Sequence, residues 1–116
     1  EENHYLVALE TQLLEYFDGK RKVFDVRLNP KGTPFQRAVW RTLCDIPYGS
    51  VISYSQEAQM LSHEKAVRAV ANANGKNPIP IIIPCHRVIA KDGGIGGYSG
   101  GIWRKEFMLE LERKNG

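Results

Sequence analysis

Cys85 is followed directly by His86 and Arg87 and preceded by Ile81-Ile82-Ile83-Pro84. The thiolate, not the thiol, is the nucleophile, and cationic neighbours are what depress a thiol pKa. A cysteine leaving a stiff apolar segment, with a base and a cation behind it, suits nucleophilic displacement. Adjacent side chains point in different directions, so direct Cys85–His86 pairing is awkward and a bridging water is the expected proton carrier. The second cysteine, Cys44, falls within a helical stripe and reads as an inert filler. Two cysteines give no disulfide framework, which fits a reducing compartment.

Several elements must hold that segment. Leu6, Leu9, Leu13, Tyr16 and Phe17 recur at helical spacing, and Asp18-Gly19 stops the helix. Val23 to Leu28 reads as a marginal strand with no visible partner. Thr33-Pro34-Phe35-Gln36 has the form of a capping box with proline in the first turn. Phe35, Val39, Leu43 and Ile46 form the buried stripe of the helix it opens. Ser53-Tyr54-Ser55-Gln56 is a second capping box, starting a short helix to about Leu61. Ser62 can cap a third helix, with Glu64 in its first turn and Gly75 beyond its end. The pair gives a helix-turn-helix outline. On its second helix Ala66, Ala69 and Ala73 form a smooth face beside Arg68, while Val67, Val70 and Ala71 face the core. The isoleucines predict a short buried strand or extended segment. The last helix, roughly Trp103 to Arg113, is expected to bury Phe107 and Leu111. Trp40 and Trp103 read as core or core-edge residues, and His4 and His63 as surface histidines.

The chain has 116 residues, 42% apolar and 25% charged, which is ordinary for one globular domain. No apolar run approaches a membrane span and no leader opens the sequence, so neither membrane residence nor secretion is expected. A net charge of +3 permits a polyanionic partner without demanding one. The glycine-rich stretch from Gly93 to Gly101 lacks the Lys-Ser/Thr ending of a phosphate loop, and no nucleotide cofactor is expected.

Pro84-Cys85-His86-Arg87-Val88, with Asn77-Pro78 upstream and Gly97-Tyr98-Ser99-Gly100-Gly101 downstream, resembles the O6-alkylguanine-DNA alkyltransferase family, the methylated-DNA–protein-cysteine methyltransferases. Phe35-Gln36-Arg37-Ala38-Val39-Trp40, Ile46-Pro47-Tyr48-Gly49 and Ala69-Val70 are similar to that family in the same order, and the likeness covers roughly Gly32 to Glu112. The resemblance implies direct, irreversible transfer of an alkyl group from O6-alkylguanine in double-stranded DNA to Cys85, once per molecule, after the nucleotide is flipped out. It gives His86 the role of base through a water and Glu112 that of its acidic partner, supporting an imidazolium that in turn supports the thiolate. Tyr54 matches the tyrosine near the target phosphate and a proton donor to the leaving base. Asn77 matches the asparagine bracing the turn before the active-site segment. Arg68 matches the arginine that fills the vacated stack. Ala66, Ala69 and Arg87 are expected with it on the DNA-binding surface. Tyr98 and Ser99 are expected in the wall of the guanine pocket, supported by Lys105.

The resemblance therefore implies an α-rich α+β fold with a helix-turn-helix, winged-helix-like DNA-binding domain over 32–116, after a lead-in helix and strand remnant over 1–31. No cofactor and no metal are expected, since the metal ligands of some relatives lie in an N-terminal domain that this sequence does not show. A monomer in the cytoplasm, on the nucleoid, or in the nucleus is the expected form. The alternative is a non-enzymatic alkyltransferase-like lesion-binding protein, a class that replaces the cysteine. A plain helix-turn-helix regulator does not explain Pro84 to Arg87. A cysteine hydrolase needs a directly paired base and an oxyanion hole, and the sequence indicates neither.

Overall fold

Two short polar motifs set where the central helices begin. Thr33 Oγ1 accepts from the Gln36 amide at 3.0 Å while Gln36 Oε1 accepts from the Thr33 amide at 3.0 Å. That reciprocal cap, with Pro34 in the first turn, opens α2, Pro34–Cys44. Ser53 and Gln56 repeat it at 3.1 and 2.8 Å and open α3, Tyr54–Met60. Both spacings are legible in the sequence because a cap is a local interaction. The computed structural model describes residues 2–25, 29–90 and 101–116. Its other elements are α1, Glu2–Phe17; β1, Ile52–Ser53; α4, Val67–Gly75; β2, Val88–Ile89; and α5, Ile102–Asn115. A single 3₁₀ turn, Cys85–Arg87, lies between α4 and β2.

Val39, Trp40, Leu43 and Ile46 pack with Ala58 of α3, Val70 and Ala73 of α4, and with Ile83, Cys85 and Val88. Trp40 Nε1 donates to the Ala73 carbonyl at 2.9 Å, so the indole is both core and clasp between α2 and α4. The α-rich α+β fold is as the sequence reading expects. The sheet is small: β1 and β2 pair in parallel, Ile52 against Val88 and Ser53 against Ile89. That pairing places the first residue of α3 beside the segment that carries Cys85.

Several sequence expectations change in the structure. Ser62 does not cap α4. Its amide donates to the Gln59 carbonyl at 3.0 Å and its φ is +60°, so it closes α3, and α4 begins after Ala66. Gly75 is the last residue of α4 rather than the one beyond it. Ala73 belongs to the core and not to the smooth face, which is left to Ala69 with half-buried Ala66. Residues 23–25 form no strand, and 26–28 lie outside the described residues. Asp25 instead exchanges two hydrogen bonds with the Gln12 side chain, at 2.8 and 3.2 Å, which fastens this stretch to α1. Cys44 is exposed at the end of α2 rather than in its stripe, and Trp103 and Phe107 are exposed on α5. The buried face of α5 is Lys105, Met108 and Glu112.

Ile81 and Ile82 form a turn, and Ile83 makes an isolated bridge to Pro80 in place of a strand. Pro78, Pro80 and Pro84 remove donors from this stretch, and side-chain amide bonds from Asn77 replace ladder bonds. Asn77 Nδ2 donates to the Ile83 carbonyl at 2.7 Å, and Asn77 Oδ1 accepts from the Ile79 amide at 2.9 Å. Ile81 takes φ +77°, a costly conformation for a β-branched residue, sustained by these surrounding bonds.

Between α3 and α4 lies a buried carboxyl. Glu57 is fully buried and Asn74 Nδ2 donates to its Oε1 at 2.8 Å, while Glu57 Oε2 and Asn74 Oδ1 have no partner among the described residues. Burial pushes the Glu57 carboxyl up to about 7, against a smaller downward pull from Asn74. The folded state thus holds a proton that the unfolded chain releases, and stability falls as pH rises between about 4.5 and 7. The full loss amounts to ~3 kcal/mol. Glu57→Gln keeps the shape and removes the titration. Its melting temperature should exceed that of the parent at pH 8 and converge with it near pH 4.5. A difference independent of pH would show that Glu57 does not titrate in this range.

Candidate active site

The 3₁₀ turn that follows Pro84 sends both His86 and Arg87 to one carboxylate, Glu112, and holds Cys85 through its backbone. Cys85 is buried at 7% exposure, its amide donating to the Ile83 carbonyl at 2.8 Å, so the Asn77-braced turn fixes the position of the thiol. His86 is fully buried, and its Nε2 lies 2.6 Å from Glu112 Oε2. Arg87 Nε and Nη2 donate to Glu112 Oε1 and Oε2 at 2.8 and 3.0 Å, and Nη1 donates to the Ile46 carbonyl at 2.7 Å. Arg87 is thus buried and fully engaged inside the protein. The expectation that it contacts DNA is corrected: its guanidinium neutralises Glu112.

Glu112 collects further donors, Tyr16 Oη at 2.6 Å on Oε2 and the Gly49 amide at 3.2 Å on Oε1. Gly49 has φ +81°, which lets its amide turn toward the carboxylate. Burial would raise the Glu112 carboxyl, but the bonds from His86, Arg87 and Tyr16 outweigh it and bring it to about 2. The group is a fixed anion.

Burial dominates at His86 and lowers its pKa. Glu112 pulls it upward, while the charges of Arg87 and Lys105 add to the downward push. Burial thus favours the neutral imidazole over the imidazolium that the resemblance implies. In this state Nε2 carries the proton donated to Glu112, and Nδ1 offers a lone pair. Nδ1 is buried and has no hydrogen-bond partner among the described residues. The arrangement is that of a base waiting for a proton from one side.

Lys105, fully buried, donates from Nζ to the Val88 carbonyl at 2.6 Å and lies 5.9 Å from the centre of the Tyr54 ring. Burial lowers its pKa, and the Cys85 charge opposes that fall, so the two groups feel each other. A cation there favours the thiolate. Tyr54 is half-buried at the start of α3, and burial, Glu57 and Cys85 all raise its phenol pKa, so it stays protonated. Arg68 and Ala69 are exposed on α4, with Ala66 half-buried at its cap. Tyr98 and Ser99 lie outside the described residues. Among the described residues no three His, Cys, Asp or Glu side chains gather as metal ligands would, and no helix is long and apolar enough to cross a membrane.

Sequence reasoning missed Tyr16, Gly49 and the inward turn of Arg87. Tyr16 sat among leucines in a stripe, although a buried tyrosine usually finds a partner for its hydroxyl. That rule was the available signal.

A helix-turn-helix that presents small and basic residues, tied through Asn77 to a turn holding a buried cysteine and histidine, is the architecture of a DNA-binding domain. The family model for the DNA binding domain of 6-O-methylguanine DNA methyltransferase matches residues 34–114. A methylated-DNA–protein-cysteine methyltransferase of Methanosarcina mazei is 48% identical over 115 residues, covering 99% of this chain and 73% of the relative. The inducible enzyme of that name from Bacillus subtilis is 46% identical, covering 98% and 64%. Among solved structures, Mycobacterium tuberculosis OGT in complex with DNA superposes with a TM-score of 0.92 at 49% identity, covering 94% of this chain and 68% of that one. S. pombe Atl1, in complex with damaged DNA containing O6-carboxymethylguanine, gives 0.63 at 30% identity, covering 72% and 79%. The chain belongs to the methylated-DNA–protein-cysteine methyltransferase family.

Proposed function

We propose that Cys85 accepts the alkyl group of an O6-alkylguanine in double-stranded DNA, and that the chain acts once per molecule as a repair methyltransferase. The observation that carries this reading is His86, whose Nε2 is engaged by Glu112 while buried Nδ1 has no partner among the described residues. In the reaction the nucleotide leaves the stack, at a cost of a few kcal/mol. The Cys85 proton passes through a water to His86 Nδ1, and Lys105 favours the thiolate that remains. Sulfur attacks the alkyl carbon, the C–S bond forms as the C–O6 bond breaks, and the departing guanine takes a proton from Tyr54. Tyr54 also steers the target phosphate, Asn77 braces the Cys85 turn, and Tyr98 and Ser99 wall the base pocket. Residues 32–116 carry this chemistry, after a lead-in over 1–31. The active form is a monomer that needs no cofactor or metal and works in the cytoplasm, on the nucleoid, or in the nucleus.

The test is a weighing. Intact-mass measurement after incubation with O6-methylguanine duplex should find one added methyl group, and none with unmodified duplex. Tight binding to the lesion with no gain in mass would instead mark the chain as a lesion-binding protein.

Arg68 is exposed on α4, suited to entering the stack beside the smooth strip of Ala66 and Ala69. Arg68→Ala should slow repair of duplex DNA at least tenfold while leaving the reaction with free O6-methylguanine base within about twofold, because only the duplex requires flipping and the few kcal/mol of unstacking must be met there. Equal slowing on both substrates would give Arg68 some other task.

A further inference from the structure

We propose that Tyr16 is a positioning residue of the alkyl-transfer relay, its hydroxyl pinning Glu112 Oε2 against His86 Nε2–H and so fixing the histidine with Nδ1 facing the Cys85 proton. The inference rests on the alkyl-transfer reading above and adds to it a residue from α1, outside the span matched by the family model.

The geometry is specific. Tyr16 is fully buried, and its hydroxyl donates to Glu112 Oε2 at 2.6 Å. The same oxygen accepts from His86 Nε2 at 2.6 Å, whereas Tyr16 Oη and His86 Nε2 stand 3.5 Å apart. With Arg87 Nη2 at 3.0 Å, three donors thus converge on one carboxylate oxygen. Burial and the neighbouring carboxylate raise the Tyr16 phenol pKa far beyond reach, so this hydroxyl is always a donor and its proton stays on its own oxygen. The ring stands edge-on to Tyr48 at 6.1 Å and lies 5.6 Å from Phe24, which walls this side of Glu112 with aromatic carbon.

Beside the Arg87 donor, the Tyr16 hydroxyl further weakens the pull of Oε2 on the histidine proton. When Nδ1 takes the thiol proton, the first proton therefore remains on Nε2 and does not migrate to Glu112. The groups that act on His86 are Glu112 and Lys105 from α5, Arg87 from its own turn, and Tyr16 from α1, with Tyr48 close to Glu112. Of these, Tyr16 is the neutral donor whose strength can be altered without changing any charge.

Two variants of the full chain test the idea: Tyr16→Phe, and 3-fluorotyrosine at position 16, a more acidic phenol and stronger donor. Each is followed by NMR titration of isotope-labelled His86 and by the rate of methyl transfer to Cys85 against pH. Without the hydroxyl, Glu112 pulls harder on His86, so Tyr16→Phe should raise the His86 titration by several tenths of a pH unit. The acid limb of the rate profile should move up with it, about threefold in rate at a fixed pH on that limb per half unit. The fluorinated residue should move both in the opposite direction. If Tyr16→Phe does not fold, the fluorotyrosine shift decides alone. A changed melting temperature with titration and acid limb unmoved would overturn the positioning role. The parent protein serves as control, since a parent that gains no methyl group sinks the alkyl-transfer reading itself and not the Tyr16 assignment.

Discussion

Cys85→Ala is expected to abolish methyl transfer completely while leaving lesion-containing duplex bound, and Cys44→Ala to leave both intact. The two thiols differ in surroundings rather than in kind. Cys44 lies at the exposed end of α2, where partial desolvation of its sulfur and the Asp45 charge both raise its pKa, so it remains a thiol near neutrality. Cys85 lies beside His86, whose Nδ1 offers a lone pair, and within the field of buried Lys105. No other group among the described residues combines a nucleophile with such a base, so the loss should be total and not partial. Peptide mass spectrometry locates the methyl group and a gel-shift assay measures retained binding. Label on Cys44 would reassign the nucleophile.

The second large effect is expected from Glu112→Gln. An amide cannot balance the Arg87 guanidinium, and removing one partner of a buried ion pair typically costs ~3–5 kcal/mol. Orientation of the base is lost with it, and general-base catalysis is worth ~10²–10⁴-fold, so methyl transfer should slow by at least a hundredfold. The sign with pH follows from the lowered carboxyl. A group held near 2 contributes stability above its unfolded value near 4.5 and loses it as the pH falls toward 2. Urea denaturation should therefore separate parent and variant widely at pH 7 and much less at pH 3. A gap of equal size at both would mean that Glu112 is not held as a carboxylate. Thiolate absorbance, read on folded protein, separates the chemical effect from the loss of stability.

The parts of this molecule that sequence reading reached are those written in neighbouring residues. The caps at Thr33 and Ser53 need only a hydroxyl and a glutamine three positions on, and both helices begin where those residues stand. The order Asn77, Pro84, Cys85, His86 is likewise local, as is the turn that Asn77 braces. What escaped was set by contacts across the chain. Arg87 reads as a surface cation until Glu112 and the Ile46 carbonyl are folded against it. The three isoleucines carry a strand signature, and proline chemistry overrides it. Burial lowers the His86 pKa, and no spacing shows how many donors its carboxylate already serves.

The donors gathered on Glu112 have one further consequence. Tyr16 is 96 residues from it, Gly49 63, His86 26 and Arg87 25. Closing loops of such length is unfavourable until most of the chain has condensed, so this cluster belongs to the late events of folding. A nascent or partly melted chain then carries Cys85 as an ordinary thiol, no more reactive toward stray electrophiles than Cys44. The sulfur gains its base only when the first and last helices have met, after the DNA-reading helix pair has its core. The proposed single-use nucleophile is in this way kept unarmed until α1 and α5 have met. In urea, the excess reactivity of Cys85 over Cys44 should vanish in the same transition as the helical signal; excess reactivity that outlasts the fold would refute this timing.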